Sequence, residues 1–114
     1  MSIAKIYAHL SCSDGVRTAV WFESLFGRPP DSREMPGLME WHHGPDAGLQ
    51  LWQDPANAGH GTVTLIVTGI AAEHARLADA GLFPGPVEPG DKVSVVRLRD
   101  PDQNLVVLAQ AGRL

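Results

Sequence analysis

The side chains here that could carry chemistry are five imidazoles, one thiol, and a few carboxylates and amides set on strand-like segments. His9 is the most pointed of them. In the segment IAKIYAHLSCS, residues 3–13, Ile6, Ala8, Leu10 and Cys12 fall on one face and Tyr7, His9 and Ser11 on the other, the period of a half-buried strand. An imidazole exchanges protons near neutral pH, so on that polar face His9 could serve as a general base or hydrogen-bond a ligand. It could equally be a histidine satisfied by a polar group on a neighbouring strand. His42 and His43 are adjacent, and successive strand residues point to opposite faces, so the two cannot hold one ion between them. They read as surface or rim residues. His60 lies in a loop and His74 on a helix, with no partner at a chelating i, i+4 spacing.

The remaining candidates are weaker singly. Cys12 is the only cysteine, so no intramolecular disulfide exists, and its place on the apolar face reads as a small buried hydrophobe. Trp52 shares a face with Gln50 by alternation and could stack on a ligand or pack in a core. Glu40 and His42 share one face of their strand, and Arg97 could offer a cation at the mouth of a cavity. Trp21 and Phe22 sit on a helix, where packing is the expectation. There is no Gly-rich phosphate loop, nucleophile elbow or CxxC pair, which leaves phosphoryl and acyl transfer without support.

The elements that must position these residues follow from patterning. Asp14 is placed to cap a helix carrying Val16, Ala19, Val20, Glu23 and Phe26 at helical spacing, and Gly27 ends it. RPPDSREMPG is a loop, after which LMEWHH and GLQLWQ form a hairpin across GPDAG. After a loop at 54–61, TVTLIVT reads as a strand and GIAAEHARLADAG as a helix capped by Gly81. A turn-rich stretch with a faint strand at 85–88 leads to strands at 92–99 and 105–110, joined by DPDQN. The order strand, helix, hairpin therefore occurs twice, with starts about 55 residues apart.

A chain of 114 residues with 44% hydrophobic and 19% charged residues suits one folded domain. Its net charge of -4 and the absence of a basic stripe argue against nucleic acid as a partner. The longest apolar runs, such as LVVLA, are far short of a membrane span, and the N-terminus lacks a signal-peptide pattern. A cytoplasmic location without membrane contact is the expectation.

In this order of elements, IYAHLSCSDGVRTAVWFESLFG (6–27) and RDPDQNLVVL (99–108) resemble the glyoxalase/bleomycin resistance/extradiol dioxygenase superfamily, also called vicinal oxygen chelate. The resemblance covers essentially the whole chain. Gln103 stands where relatives commonly have Gly in Asp-Pro-Asp-Gly-Asn. The resemblance implies an α+β fold of two βαβββ modules, about 1–54 and 61–114 of one domain, forming curved mixed sheets around a cup-shaped cavity.

The resemblance also implies where a divalent metal would sit in the enzymes of this superfamily. Carried onto this chain residue by residue, the ligand positions fall on Tyr7, Gln50, Thr62 and Val107. A phenol keeps its proton to about pH 10 and seldom ligates, Val107 has no donor, and only the Gln50 amide is chemically acceptable. Zinc, iron or manganese need three or four donors at about 2.0–2.3 Å. No metal or other cofactor is therefore expected.

The leading expectation is a metal-independent protein that binds a small organic ligand in its cavity, lined by Tyr7, His9, Ser11, Gln50, Trp52, Thr62, Thr64 and Val107, with Arg97 near the mouth. Relatives of this size usually pair, which implies a homodimer with cavities near or across its interface. Whether it is an enzyme stays open. One alternative is a lyase, isomerase or dioxygenase with a non-standard metal site, or with His9 as a metal-free acid/base. Another is a structural or regulatory dimer whose pocket is filled by its own side chains.

Overall fold

In the computed structural model, which describes residues 1–112, the strand-helix-hairpin order is indeed present twice. The first half holds β1 (Ile6–Cys12), α1 (Gly15–Phe26), β2 (Leu38–His42) and β3 (Ala47–Gln53). After a 3-10 turn at Pro55–Asn57 that the sequence did not announce, the second half holds β4 (Thr62–Ile66), α2 (Ile70–Asp79), β5 (Val93–Arg99) and β6 (Leu105–Ala111). None of the described helices is long and apolar enough to cross a membrane.

Each half forms its own three-stranded mixed sheet, ordered β1-β3-β2 and β4-β6-β5. In each, the first strand pairs parallel with the last and the last antiparallel with the one before it. A fourth strand per half, implied by the βαβββ pattern, is reduced to one β-bridge: Ser32 with Glu40, and Glu88 with Val95. Prolines crowd both segments, at 29, 30 and 36 and at 84, 86 and 89, and a residue without an amide hydrogen cannot extend a ladder.

The helices start in a way that repeats between the halves. Asp14 caps α1 by accepting from the Arg17 amide at 3.2 Å, and Gly27 closes it with φ 75°. A glutamine from each last strand adds a second cap: Gln53 Oε1 accepts from the Gly15 amide at 2.9 Å, and Gln110 Oε1 from the Ile70 amide at 2.7 Å. These bonds satisfy amides that a helix leaves orphaned at its start. In α2 this matters more, because its N-cap is Gly69, which has no side chain to offer.

Both helices lie on one side of the sheets. Leu10, Cys12, Met39, Trp41, Leu49 and Leu51 of the first sheet and Val63, Val96, Leu98, Val106 and Leu108 of the second join Phe22, Leu25, Ile70 and Leu77 in one buried cluster. On α2 only Ile70 and Leu77 are buried, with His74 half-buried and Ala78 exposed. Arg76 ties the helices together, donating to the carbonyls of Ser24 and Leu25 at 2.9 and 2.6 Å.

The DPDQN segment joins the halves. Asn104, fully buried, donates from Nδ2 to the Ser11 carbonyl at 2.9 Å and to Asp100 Oδ2 at 2.8 Å, and its Oδ1 accepts from the Gly61 amide at 2.9 Å. Asp102 accepts from the Ser13 amide at 3.0 Å and from the Ser13 and Thr18 hydroxyls, with Arg17 at 3.6 Å. Gln103 adopts φ 77°, so the turn takes the left-handed geometry with a side chain that disfavours it.

Candidate functional site

Alternation sends the residues not buried under the helices to the opposite, open side of both sheets. Register arranges them in rows. In the first sheet, His9, Gln50 and Glu40 lie side by side on β1, β3 and β2, flanked by Ser11, Trp52 and Leu38 on one side and Tyr7, Gly48 and His42 on the other. In the second, Thr64, Val107 and Arg97 form one row and Thr62, Leu105 and Arg99 the next. His9 and Thr64 each stand five residues before their helix cap, Asp14 and Gly69. The two central rows are thus equivalent positions with different chemistry.

Glu40 organises the first row. Only 6% exposed, its carboxylate accepts from Gln50 Nε2 at 2.7 Å, Tyr7 Oη at 3.2 Å and Ser32 Oγ at 3.4 Å, with His42 Nε2 also at 3.4 Å. The Gln50 hydrogen bond above all, then those of His42, Tyr7 and Ser32, hold the Glu40 carboxyl below its ordinary value against the opposing effect of burial. Gln50 Oε1 faces His9 Nδ1 at 3.2 Å. Tyr7 can lie flat across the sheet because its register partner is Gly48, where a Cβ would come within 2.7 Å of the Tyr7 ring. Lys5 Nζ lies 3.5 Å from the Tyr7 hydroxyl.

The second row is quieter. Val107 is half-buried between exposed Thr64 and exposed Arg97, and Arg97 is ion-paired with Glu88, which occupies the charge that sequence reasoning offered to a ligand. Sequence reasoning found Tyr7, His9 and Gln50, which the structure connects, and placed Ser11 and Trp52 on their face. It underrated Glu40 and missed Ser32, which reaches the site through the single bridge that replaces a strand. A carboxylate one register step from Gln50 was the available signal for Glu40.

Two cavities lie near these rows. One, of about 490 Å3, sits on the helix side of the cleft between β1 and β4, walled by Ile6, Ala8, Leu25, Phe26, Leu65 and Leu77, and reaches Thr64. The other, of about 500 Å3, lies beside Trp21, Phe83, Arg97 and Arg99. At the first, His43 packs on Phe26 with ring centroids 4.6 Å apart, and burial lowers its affinity for a proton.

No protein-family model matches this sequence, and no curated protein does. Among solved structures, a glyoxalase/bleomycin resistance protein from Catenulispora acidiphila superposes with a TM-score of 0.86 over 94% of this chain and 97% of that one, at 23% identity. The chain has the glyoxalase/bleomycin resistance fold. TnmS3, an antibiotic-binding protein from a Streptomyces species, gives a TM-score of 0.84 at 19% identity, covering 98% of this chain and 99% of that one. A lactoylglutathione lyase from Agrobacterium tumefaciens gives 0.77 at 17% identity, covering 94% and 92%.

Within the glyoxalase/bleomycin resistance fold, the positions to which the sequence resemblance carried a metal do not suit one here. The Tyr7 hydroxyl donates its hydrogen bond to Glu40, the Gln50 amide is engaged at both ends, and Val107 has no donor atom. Among the described residues no three His, Cys, Asp or Glu side chains converge as a ligand set. Cys12 is no substitute nucleophile, since burial first, and then the Asp102 charge, push its thiol up to about 11.

Proposed function

We propose that this chain is a metal-independent binding protein that holds a small organic molecule on the open face of its sheets, with a second copy of the chain covering that face. The observation that carries the reading is the asymmetry of equivalent rows. His9-Gln50-Glu40 is polar and ionised, whereas Thr64-Val107-Arg97 has an apolar centre and a neutralised cation. A ligand spanning both would meet an apolar wall and a few placed polar groups, the usual make-up of a small-molecule site. Tyr7, Ser11, Trp52 and Thr62 would border it. The donor chemistry of Tyr7, Gln50 and Val107 supports the metal-independent form of this reading, and the likeness in fold to an antibiotic-binding protein is consistent with it.

The case for a second copy comes from exposure. Ile66 is 76% exposed on the open side of β4, in phase with Thr62 and Thr64. Covering it would help stabilise a pair through the hydrophobic effect and bring a second copy over the rows.

The test combines binding and metal content. A panel of planar aromatic compounds should contain members that raise the melting temperature by several degrees at ten times their Kd, about 1.4 kcal/mol of stabilisation. That gain should vanish in Val107→Lys. One tightly held transition ion per chain, lost on Gln50→Ala, would overturn the reading, as would a panel without a single stabilising compound.

A further inference from the structure

We propose that Glu40, acting through Gln50, fixes His9 as the Nδ1–H tautomer and leaves its Nε2 as a bare acceptor on the open face, so that the ligand is one that delivers a hydroxyl proton donor, a phenol or an enol. This rests on the binding function proposed above and names the chemical class of its ligand.

The argument follows hydrogen-bond direction. A carboxylate only accepts, and Gln50 approaches Glu40 Oε2 at 2.7 Å, so the Gln50 NH2 group must face Glu40. Three donors, Gln50 Nε2, Tyr7 Oη and Ser32 Oγ, reach Glu40 and favour its ionised form, which disfavours the alternative in which it donates. The Gln50 carbonyl then points the other way, where His9 Nδ1 lies at 3.2 Å. A carbonyl also only accepts, so Nδ1 carries the proton, and in a neutral imidazole the other nitrogen is then the acceptor. His9 is exposed, and among the described residues no hydrogen bond reaches its Nε2.

The rest of the face restricts what meets that nitrogen. On β4, the strand beside β1, the residue equivalent to His9 is Thr64, and its row continues to Val107, so an apolar body carrying the hydroxyl has a surface to rest on. A carboxylate ligand would face the Glu40 charge nearby and bring no proton to Nε2. Glu40 and Gln50 are positioning residues in this scheme and His9 is the group that touches the ligand.

Two readouts test it separately. Nitrogen-15 NMR of the histidines should show His9 protonated at Nδ1 and bare at Nε2 in the free protein, and a mixture of tautomers in Glu40→Gln and in Gln50→Met. The second variant keeps Glu40 and its other partners, so a folding defect in the first leaves the result readable. An Nε2–H tautomer in the unaltered protein would sink the relay whatever the protein binds. The binding arm compares 1-naphthol with 1-methoxynaphthalene, which differ in the hydroxyl proton. Naphthol should bind at least about tenfold more tightly, and the preference should collapse to within about twofold in His9→Phe. Equal binding of the two overturns the ligand class while leaving the binding function standing; binding of neither overturns both, and the tautomer still decides the relay.

Discussion

Asn104 Nδ2 donates to the backbone carbonyl of Ser11 at 2.9 Å, joining a residue of the last turn to the first strand. The two are 93 positions apart. This bond, with the one from the Gly61 amide to Asn104 Oδ1, seats the second sheet against the first at the end where β1 and β4 approach. Gly61 fits there because it has no side chain: a Cβ would come within 2.6 Å of Leu10 Cδ2. The relative placement of the two open faces, and so of any ligand lying across them, depends on this junction.

Asn104→Ala should therefore be costly. It removes three hydrogen bonds of a fully buried side chain and leaves the Gly61 amide and the Ser11 carbonyl without that partner. Unsatisfied buried groups cost about 1–3 kcal/mol each, so a loss of roughly 3 kcal/mol is expected in urea unfolding, seen as a lower midpoint with an unchanged slope.

Gly48→Ala should disturb the site and the strand pairing together. The added methyl group meets the Tyr7 ring, which must swing away from Glu40, and comes within 2.9 Å of the Trp41 carbonyl on β2. Overpacking of this kind costs about 1–3 kcal/mol. The expected readings are a modest fall in melting temperature and a Tyr7 ring whose NMR shifts no longer respond to Glu40→Gln. Unchanged Tyr7 shifts in the Gly48 variant would show the ring elsewhere.

Acid should unfold the protein partly through Glu40 and Asp102. Both carboxyls sit below their ordinary value, Glu40 chiefly through Gln50, and Asp102 because the Ser13 hydrogen bonds and the Arg17 charge outweigh burial. A group with a lowered folded pKa contributes stability above its unfolded pKa, and that contribution fades as pH falls through the folded value. Asp100 works in reverse, since burial raises its value, so protonating it relieves a cost as the pH falls. Stability measured from pH 7 down to about 3 should decline less steeply in Asp102→Asn and more steeply in Asp100→Asn.

Cys12 should resist thiol reagents in the native state. Its side chain is fully buried, and with the thiol pushed up to about 11 the reactive thiolate is scarce at pH 8. Labelling by a disulfide reagent at pH 8 should proceed only as fast as the protein opens, and should become immediate in denaturing urea.

The elements and their faces were legible in local patterning. Alternation in IYAHLSC, the Asp14 cap, Gly27 and the hairpin about GPDAG are local signals, set by backbone sterics and by which side chains shun water, and the structure places each where the pattern put it. That Val107 offers no donor atom to a metal was equally legible, since valine has none in any fold. How those faces work together came from strand register and long-range contacts. Register set Glu40 beside Gln50 and Gln50 beside His9, turning a scattered carboxylate, amide and imidazole into a directed chain of hydrogen bonds. It also gave Arg97 to Glu88, and made DPDQN a bolt between the halves as well as a turn. Hydrogen bonds across tens of residues leave no periodic trace in a sequence, because they depend on where strands lie beside one another and not on spacing along the chain.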